Sequence, residues 1–273
     1  MRVAFQGERG AYSEEAAAAL YGDVEVVPCA ALREVFDAVA SAQADRAVVP
    51  VENSQAGSIN ETYDLLLSHR LYITGELDLR IRHCLLALPG QALEAIRVVH
   101  SHPQALAQCE EFLRLRKIEA VAAYDTAGSA KMVASQRLSG VGAIAGRRAG
   151  QIYHLAVLAE GIETNPFNYT KFLGLNTEPG PHAPGCKTSI VFTTKNVPGA
   201  LYRALGAFAT RTINLTKLES RPRRELPWEY LFYVDFEGHE RDPVAAGALE
   251  ELRGVTTFVR VLGSYPKSPT PRP

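Results

Sequence analysis

The sequence lacks the features expected of a nucleic-acid-binding, membrane or secreted protein. The net charge is −1 over 273 residues, so no excess of basic residues is available for nucleic acid or an anionic membrane. No apolar run is long enough to span a membrane, and the first residues lack the charged-then-apolar pattern of a signal peptide. We therefore expect a cytoplasmic protein with no nucleic-acid and no membrane partner.

Cysteine is scarce, and its four copies lie far apart, at Cys29, Cys84, Cys109 and Cys186. None belongs to a C-x-x-C pair, so the spacing favours buried free thiols over a disulfide framework or a zinc site. Nucleotide-binding motifs are missing as well. The glycine turn at residues 7–11 contains neither G-x-G-x-x-G nor the G-K-[ST] ending of a P-loop, and we expect an ordinary strand-to-helix turn there.

What the sequence does contain is a regular alternation of short apolar strands and helices, which favours parallel α/β sheets. The alternation begins with a strand at residues 2–6 and restarts after residue 80 with a strand at Cys84–Leu88. One helix is expected over residues 103–115, and a strand at 169–175 can return to the first lobe. We predict a catalytic or binding part at 1–178 made of two α/β lobes with a cleft: lobe one at about 1–79 and 155–178, lobe two at about 80–154.

The centre of this pattern is the segment AVVPVENSQAGS at residues 47–58. It begins as an apolar strand and ends in small polar residues before a helix, with Glu52 and Asn53 between the two parts. The crevice beyond the C-terminal end of such a strand is a common ligand site, and a helix start there offers N–H donors to an anion. The alternative for Glu52 is a solvated loop acid.

A linker separates a second domain from the first. Residues 178–185 contain three prolines and two glycines in eight positions. The following 80 or so residues show the order strand, helix, strand, strand, helix, strand, which is the βαββαβ order of ferredoxin-like folds. We predict this domain at 186–265, followed by a disordered tail at 266–273.

Six short runs together resemble a known family. They are GERGAYSEE at 7–15, VPVENSQAG at 49–57, HSHPQALAQC at 100–109, NPFNYTKF at 165–172, PGAL at 198–201 and ESRP at 219–222. Each run alone is weak evidence, but they occur in family order and cover nearly the whole chain. On these motifs the chain resembles the monofunctional bacterial prephenate dehydratases, whose catalytic part, with lobes similar to type II periplasmic-binding-protein lobes, is followed by an ACT regulatory domain.

The resemblance implies decarboxylating dehydration of prephenate to phenylpyruvate in phenylalanine biosynthesis, with no cofactor and no metal. Aromatisation drives this reaction, so the protein must hold a dianion and aim a donor at the leaving hydroxyl. The family pattern places that donor at Thr170, with Asn53 beside it. Because an aliphatic hydroxyl is a weak acid, we expect Thr170 to act by hydrogen bonding. The proton then comes from water or from a carboxyl, with Glu52 the candidate if a closed cleft raises its pKa.

The resemblance also implies substrate-orienting roles for Asn53 and for four further residues: Ser101, Gln108, His83 and Phe172. For His83 a structural role is the alternative, since a lone histidine beside an apolar strand is more often structural. The family motif T-R-F reads Thr170-Lys171-Phe172 here. Lysine lacks the planar fork of arginine, but Lys171 points to the opposite face of the strand from its two neighbours. The change therefore casts doubt on Lys171 as a substrate clamp and not on Thr170.

For the second domain, the resemblance implies feedback inhibition by phenylalanine, bound between two subunits of a homodimer or homotetramer. The effector-binding positions fall at a helix start and a strand end: Gly199, Ala200 and Leu201, with Glu219, Ser220 and Arg221. Glycine at residue 199 would let the backbone come close to the amino acid.

Two alternatives stay open at this point. Two lobes with a cleft also describe solute-binding proteins, and ACT domains are common ligand sensors, so a non-catalytic amino-acid sensor is the first alternative. The second is an arogenate dehydratase, which would form phenylalanine directly. The sequence does not separate the two substrates, because they differ only where one carries a ketone and the other an amine.

Overall fold

The computed structural model describes residues 1–223 and 229–268. Internal contacts divide the chain into two compact units. The first comprises Met1–Leu65 and Leu77–Leu173, and the second comprises Leu66–Glu76 together with the chain from Gly174 onward. The domain boundaries placed from the sequence stay a prediction, and the predicted tail lies outside the described residues from position 269 on. Among the described residues, no helix combines the length and the apolar character needed to span a membrane.

Short strands alternate with helices up to residue 176. In chain order they are β1 (Arg2–Gln6), α1 (Tyr12–Tyr21), β2 (Glu25–Cys29), α2 (Leu32–Ala40), β3 (Arg46–Asn53), β4 (Gly57–Ser58), α3 (Asn60–Ser68), β5 (Tyr72–Arg80), β6 (Cys84–Ala87), a 3-10 helix (Leu93–Ala95), β7 (Val98–Ser101), α4 (Pro103–Gln108), α5 (Glu110–Arg116), β8 (Glu119–Ala122), α6 (Thr126–Ser135), β9 (Val141–Ala145), α7 (Arg147–Ile152), β10 (Ala156–Glu160) and β11 (Tyr169–Asn176). The helix expected over 103–115 is interrupted at Cys109, whose φ of −108° and ψ of 13° end α4 before α5 begins.

The sheet of lobe one has the strand order β2-β1-β3-β11-β5, with β4 paired to β3. β1 runs parallel to β2 and to β3, as predicted. The consecutive residues Val3, Ala4 and Phe5 are all fully buried, so both faces of β1 are covered, which is typical of a parallel sheet. The central strand β3 ends at Asn53, and this brings the Glu52-Asn53 pair to the C-terminal edge of the sheet.

The sheet of lobe two is mixed, with the order β10-β6-β9-β7-β8. β7 runs parallel to β8 and β9, but β6 is antiparallel to β9 and β10 is antiparallel to β6. The expectation of a parallel sheet is therefore wrong for β6, which runs opposite to the other strands of this sheet. β6 and β10 run in opposite directions because the chain enters lobe two along β6 and leaves it along β10.

The second unit contains the predicted βαββαβ fold. Its elements are β12 (Cys186–Thr193), α8 (Ala200–Ala209), β13 (Leu215–Pro222), β14 (Tyr230–Glu237), α9 (Pro243–Val255) and β15 (Phe258–Pro266). The four strands form an antiparallel sheet in the order β13-β14-β12-β15. Phe208 of α8 packs against Phe236 of β14 in a core that also includes the apolar face of α9. The ferredoxin-like prediction is confirmed.

A buried cation holds the segment Leu66–Glu76 within the second unit. Nζ of Lys187 lies 2.5 Å from a carboxylate oxygen of Glu76 and 3.0 Å from one of Asp235, and only 4% of the lysine is exposed. Burial lowers the pKa of Lys187, but the two carboxylates outweigh this effect and the pKa is raised. The two carboxylates and the cation compensate one another's desolvation, so removing Lys187 would leave two buried carboxylates without a cation.

Candidate active site

A cavity of about 520 Å³ opens between the two lobes of the first unit, a size suited to a small molecule. Lobe one contributes strand ends and the start of α1, whereas lobe two contributes the starts of α4 and α6. The polar and aromatic side chains that line it include Gln6, Tyr12, Asn53, Thr170 and Phe172 from lobe one and His83, Gln104, Gln108 and Asp125 from lobe two.

The buried amide of Asn53 determines how Thr170 can act. Its Nδ2 donates to Oδ1 of Asn168 at 2.9 Å, to the carbonyl of Tyr169 at 3.1 Å and to Oγ1 of Thr170 at 3.0 Å. A hydroxyl has one hydrogen to donate and two lone pairs to accept with. Because Thr170 accepts from Asn53, its own hydrogen is available for an acceptor in the cavity.

The other end of the Asn53 amide is fixed by donors. Its Oδ1 accepts from the backbone N–H groups of Gln55 at 3.1 Å and Ala56 at 3.0 Å, and from Nε2 of Gln104 at 3.4 Å. Every partner of the oxygen is a donor and every partner of the nitrogen is an acceptor, so the amide has one satisfied orientation. The contact with Gln104 also links lobe one to lobe two.

A chain of neutral hydrogen bonds continues from Asn168 into lobe two. Nδ2 of Asn168 donates to Oε1 of Gln108 at 2.9 Å, and Nε2 of His83 lies 2.9 Å from the same oxygen. Since that oxygen only accepts, Nε2 carries the hydrogen. Nδ1 lies 3.0 Å from the Tyr12 hydroxyl, whose single hydrogen is shared between Nδ1 and the carbonyl of Arg82 at 2.9 Å. Burial lowers the pKa of His83 against the opposing effects of Gln108 and Glu163, so the imidazole is neutral at neutral pH.

Among the described residues that line the cavity, there is no lysine or arginine, and Asp125 is the only carboxylate. Asp125 is the N-cap of α6: its Oδ1 accepts from the backbone N–H of Ala127 at 3.1 Å and lies 3.4 Å from Oγ1 of Thr126. Its Oδ2 accepts from the backbone N–H of Glu8 in lobe one at 2.9 Å. Asp125 therefore stabilises a helix start and joins the two lobes.

The lobes also meet where the first glycine turn packs on α7. Oε1 of the fully buried Glu14 accepts from Nη2 of Arg148 at 2.7 Å, and its Oε2 accepts from the N–H of Gly10 at 2.6 Å. Burial raises the pKa of Glu14, but these donors outweigh it and the pKa is lowered. Gly10 has φ +88°, and a Cβ there would lie 2.7 Å from Cα of Ala149, so this contact requires glycine.

Comparison with known proteins identifies the family of this chain. The family model for prephenate dehydratase matches residues 3–180, which is more than half of the chain. The chain belongs to the prephenate dehydratase family. A second family model, the ACT domain, matches residues 188–254. Both parts of the resemblance inferred from the motifs are thereby confirmed, and the chain is an enzyme of the lyase class.

Individual members of the family match this chain over nearly its whole length. Arogenate dehydratase/prephenate dehydratase 2, chloroplastic, from Arabidopsis thaliana is 49% identical over 283 residues, which span 99% of this chain and 74% of that protein. The structure of the Arthrobacter aurescens prephenate dehydratase in complex with L-Phe has 31% identity and a TM-score of 0.89, with 97% and 90% of the two chains covered. The structure of GqqA, described as a novel type of quorum quenching acylases, has 36% identity and a TM-score of 0.93, with 100% of both chains covered.

The structure brings most of the sequence-predicted site residues to the cavity between the lobes. Five of them line it: Thr170, Asn53, Gln108, His83 and Phe172. Lys171 does not, and its Nζ lies 3.6 Å from a carboxylate oxygen of Asp78. This agrees with the argument that residue 171 faces away from the ligand. The roles themselves stay predictions.

Glu52 and Ser101 are not among the residues that line the cavity. Glu52 pairs with Ser58 in the β3–β4 ladder and is not among the cavity-lining residues, because it points to the opposite face of the strand from Asn53. Ser101 is completely buried and donates its hydroxyl to the carbonyl of Ile144 at 2.6 Å. The geometry therefore gives no support to Glu52 as a proton donor or to the Ser101 hydroxyl as a substrate contact.

Sequence reasoning missed Tyr12, Gln104, Asn168 and Asp125. Tyr12, Gln104 and Asn168 lie within the family-like runs, so the motifs contained them without indicating what they do. Asp125 could have been recognised as an N-cap from the sequence, since it immediately precedes the helix that begins at Thr126 and aspartate is common at that position. Its position in the cavity depends on how lobe two packs on lobe one, which no local pattern shows.

The predicted effector residues lie in the second unit. Gly199 precedes α8 with φ +75°, a conformation that favours glycine, and Ala200 and Leu201 form the first turn of the helix. Glu219, Ser220 and Arg221 lie on β13, the outermost strand of the sheet. Nζ of Lys217 lies 3.3 Å from a carboxylate oxygen of Glu219. Their effector-binding role stays a prediction.

The cysteines are free thiols, and three of the four are buried. Burial raises the pKa of Cys84 to about 11 and also raises that of Cys109 and Cys29, so all three are protonated at neutral pH. Within the part of the chain that the structure describes, no group of three or more His, Cys, Asp or Glu side chains could hold a metal ion.

Proposed function

We propose that this protein catalyses loss of carbon dioxide and water from prephenate to give phenylpyruvate, or from its amino-acid counterpart arogenate to give phenylalanine. The observation that carries the proposal is the hydrogen bond from Asn53 to Thr170 at 3.0 Å. Because Thr170 accepts this bond, its own hydrogen is left to donate to a leaving oxygen in the cavity that it lines.

The electron balance of the reaction explains why so few groups are needed. The bond between the ring and its carboxylate breaks, and its electron pair completes the aromatic ring while the ring C–O bond breaks on the opposite carbon. Carbon dioxide leaves, and the departing hydroxide takes a proton to become water. Thr170 stabilises the charge that develops on this oxygen, and Asn53 holds the Thr170 hydroxyl in place.

Neutral donors suit the anionic substrate of this cavity. The N-terminus of α1 has no side-chain cap, and Ala11, Tyr12 and Ser13 at that end line the cavity. Exposed N–H groups at a helix start bind carboxylates favourably. Since no lysine or arginine is among the described lining residues, we assign carboxylate binding to the N–H groups of Tyr12 and Ser13 and to the amides of Gln104 and Gln108.

The source of the proton is water in this proposal. Glu52 does not line the cavity, and both carboxylate oxygens of Asp125 already accept hydrogen bonds from backbone N–H groups. A general acid is not essential, because aromatisation supplies the driving force and Thr170 disperses the charge.

We do not transfer the acylase description of the GqqA relative to this chain. Acyl transfer at a serine or threonine uses a hydroxyl paired with a base such as imidazole. Here the Thr170 hydroxyl accepts from an amide, and the ring nitrogens of His83 contact Tyr12 and Gln108.

The direct test is to incubate the purified protein separately with prephenate and arogenate. Phenylpyruvate is followed by its absorbance in alkali and phenylalanine by chromatography. Product from either substrate at a rate well above the uncatalysed one supports the proposal. Binding of phenylalanine without product from either substrate would instead favour the amino-acid sensor.

We further propose that phenylalanine inhibits the enzyme from the ACT domain. The Arthrobacter aurescens prephenate dehydratase was solved with L-Phe, and here the start of α8 offers backbone N–H groups next to Gly199. Gly199→Ala should weaken inhibition by phenylalanine, because it crowds this turn and strains a φ of +75°. The control is Gly206→Ala on the same helix, where a Cβ meets nothing within 4 Å. Equal loss of inhibition in both variants would contradict the assignment.

The remaining parts of the proposal concern assembly and location. We propose a monofunctional bacterial enzyme that acts in the cytoplasm as a homodimer or homotetramer. The observation that supports assembly is the position of β13, a strand at the edge of its sheet that carries the predicted effector residues and has an outer side open to pairing with a second copy. Light scattering of the purified protein with and without phenylalanine tests the oligomeric state.

A further inference from the structure

The charge pattern of the cavity favours one of the two substrates. Prephenate carries two carboxylates and no cation, whereas arogenate carries two carboxylates and an ammonium. Neutral donors can bind the two carboxylates of either molecule, so the ammonium, and not an arginine or lysine of the lining, distinguishes the two substrates. The described lining residues include neither, and they include the carboxylate of Asp125. An additional negative charge beside a dianion is unfavourable.

Asp125 has the capacity to bind an ammonium. An ionised carboxylate offers about four lone-pair positions. Oδ1 uses two toward the N–H of Ala127 and the hydroxyl of Thr126, and Oδ2 uses one toward the N–H of Glu8. One position is left, and the side chain borders the cavity. The hydrogen bonds also hold the carboxylate in one orientation, which lowers the entropy lost on binding a ligand.

The position of Asp125 also suits the shape of the substrate. In prephenate and arogenate, the leaving hydroxyl and the amino- or keto-acid side chain are attached to opposite carbons of the ring. If Thr170 takes the hydroxyl, the side chain points away from the Asn53–Thr170 pair. Asp125 takes no part in the hydrogen bonds of that pair and lies at the start of α6, against the Gly7-Glu8 turn.

We infer that Asp125 is a specificity-determining residue that binds the ammonium of arogenate, and that arogenate is the better substrate of this enzyme. The inference rests on the proposed function, since it names the substrate of that same site. This role differs from the capping of α6, because the cap stabilises the helix equally whichever substrate is bound.

The experiment compares kcat/KM for the two substrates in three full-length proteins. The wild type should use arogenate with the higher kcat/KM. Asp125→Asn removes the charge and keeps an oxygen that can cap α6, but it loses the acceptor for the N–H of Glu8, which affects both substrates alike. It should lower kcat/KM for arogenate relative to kcat/KM for prephenate by about 10- to 100-fold, the range expected for one charge-assisted hydrogen bond. The ratio of the two values is the readout.

Glu8→Gln is the matched control. It removes one negative charge from the neighbouring turn, but the Glu8 side chain pairs with Lys131 and does not line this cavity. Its substrate ratio should equal that of the wild type. Asp125→Ser, which also retains a capping side chain, provides a second test if Asp125→Asn does not fold.

The outcomes separate this inference from the proposed function. A wild type that prefers prephenate, or Asp125 variants that lower both kcat/KM values by the same factor, would overturn the role of Asp125 while leaving the dehydratase intact. A wild type that forms product from neither substrate would overturn the proposed function itself. A ratio that shifts toward prephenate only in the Asp125 variants supports the inference.

Discussion

Asn53→Asp is the substitution for which the structure gives the most detailed expectation. It exchanges an NH₂ group for an oxygen with almost no change in shape. The nitrogen now donates to three oxygens, at 2.9, 3.0 and 3.1 Å, and the side chain is 6% exposed. If the new oxygen occupies the position of the nitrogen, it faces acceptors from Asn168 and Tyr169. The variant should therefore bury an uncompensated charge, which costs about 3–5 kcal/mol of unfolding free energy.

The same change should reverse the hydrogen bond to Thr170. An ionised carboxylate only accepts, so the Thr170 hydroxyl would donate to it and no longer to the leaving oxygen. Loss of one donor to a developing negative charge typically lowers kcat by about 10²–10³-fold. Both the loss of stability and the loss of kcat should be smaller at low pH. Burial and the neighbouring oxygens raise the pKa of the introduced carboxyl, so the variant loses stability as the pH rises through that pKa and regains it as the pH falls.

The assay combines initial rates with urea denaturation, each at pH 5.5 and pH 8. The unfolding free energies of Asn53→Asp and the wild type should differ less at the lower pH. Asn165→Asp is the control, since Asn165 is exposed and its Oδ1 accepts from the N–H of Phe167, which a carboxylate also does. A near-normal kcat for Asn53→Asp at pH 8, or an equal stability loss at both pH values, would refute the reasoning.

Three further changes test other parts of the site. Thr170→Ala should lower kcat by about 10²–10⁴-fold, and Thr170→Ser should keep much of the activity, in initial-rate measurements; an alanine variant with near-normal kcat would remove Thr170 from the mechanism. Glu52→Gln should leave the shape of the pH–rate profile unchanged, because Glu52 does not line the cavity; a lost ionisation would restore it as the proton donor. Glu14→Gln should lower the unfolding free energy by about 1–3 kcal/mol at pH 7, since Arg148 loses its carboxylate. Because the pKa of Glu14 is lowered, the wild type should lose this advantage as the pH falls through that pKa, and an advantage that persists in strong acid would contradict the ion pair.

Local pattern was sufficient for most of the fold. The regular alternation of short apolar strands with helices predicts parallel sheets, and the full burial of Val3, Ala4 and Phe5 in β1 agrees with this. The reversed direction of β6 could not be predicted, because it depends on where the chain crosses between lobes. The break at Cys109 was also missed, since that residue is neither proline nor glycine and local propensity continues through it.

The sequence predicted the residues of the candidate site best where a motif residue serves a single chemical role. Thr170 and Asn53 came from motifs, and the structure adds the direction of the hydrogen bond between them. Ser101 shows the limit of this reasoning. Its hydroxyl could equally serve a ligand or a buried carbonyl, and the choice is made by Ile144 on a different strand, 43 positions away. Asp125 shows a related limit. Its place before α6 indicates a helix cap, but the sequence does not show that its Oδ2 also accepts from the N–H of Glu8 in the other lobe.

The buried cation of the second unit has a consequence for synthesis on the ribosome. Glu76 leaves the ribosome well before its partner, since Lys187 follows 111 positions later in the sequence and Asp235 later still. At about 5–20 residues per second, translation of that interval takes roughly 6–20 s. During this time the Glu76 carboxylate is without the cation that compensates its burial, so its segment can reach its final place only after β12 has been made. The segment Leu66–Glu76 therefore joins the fold late, although it is encoded early.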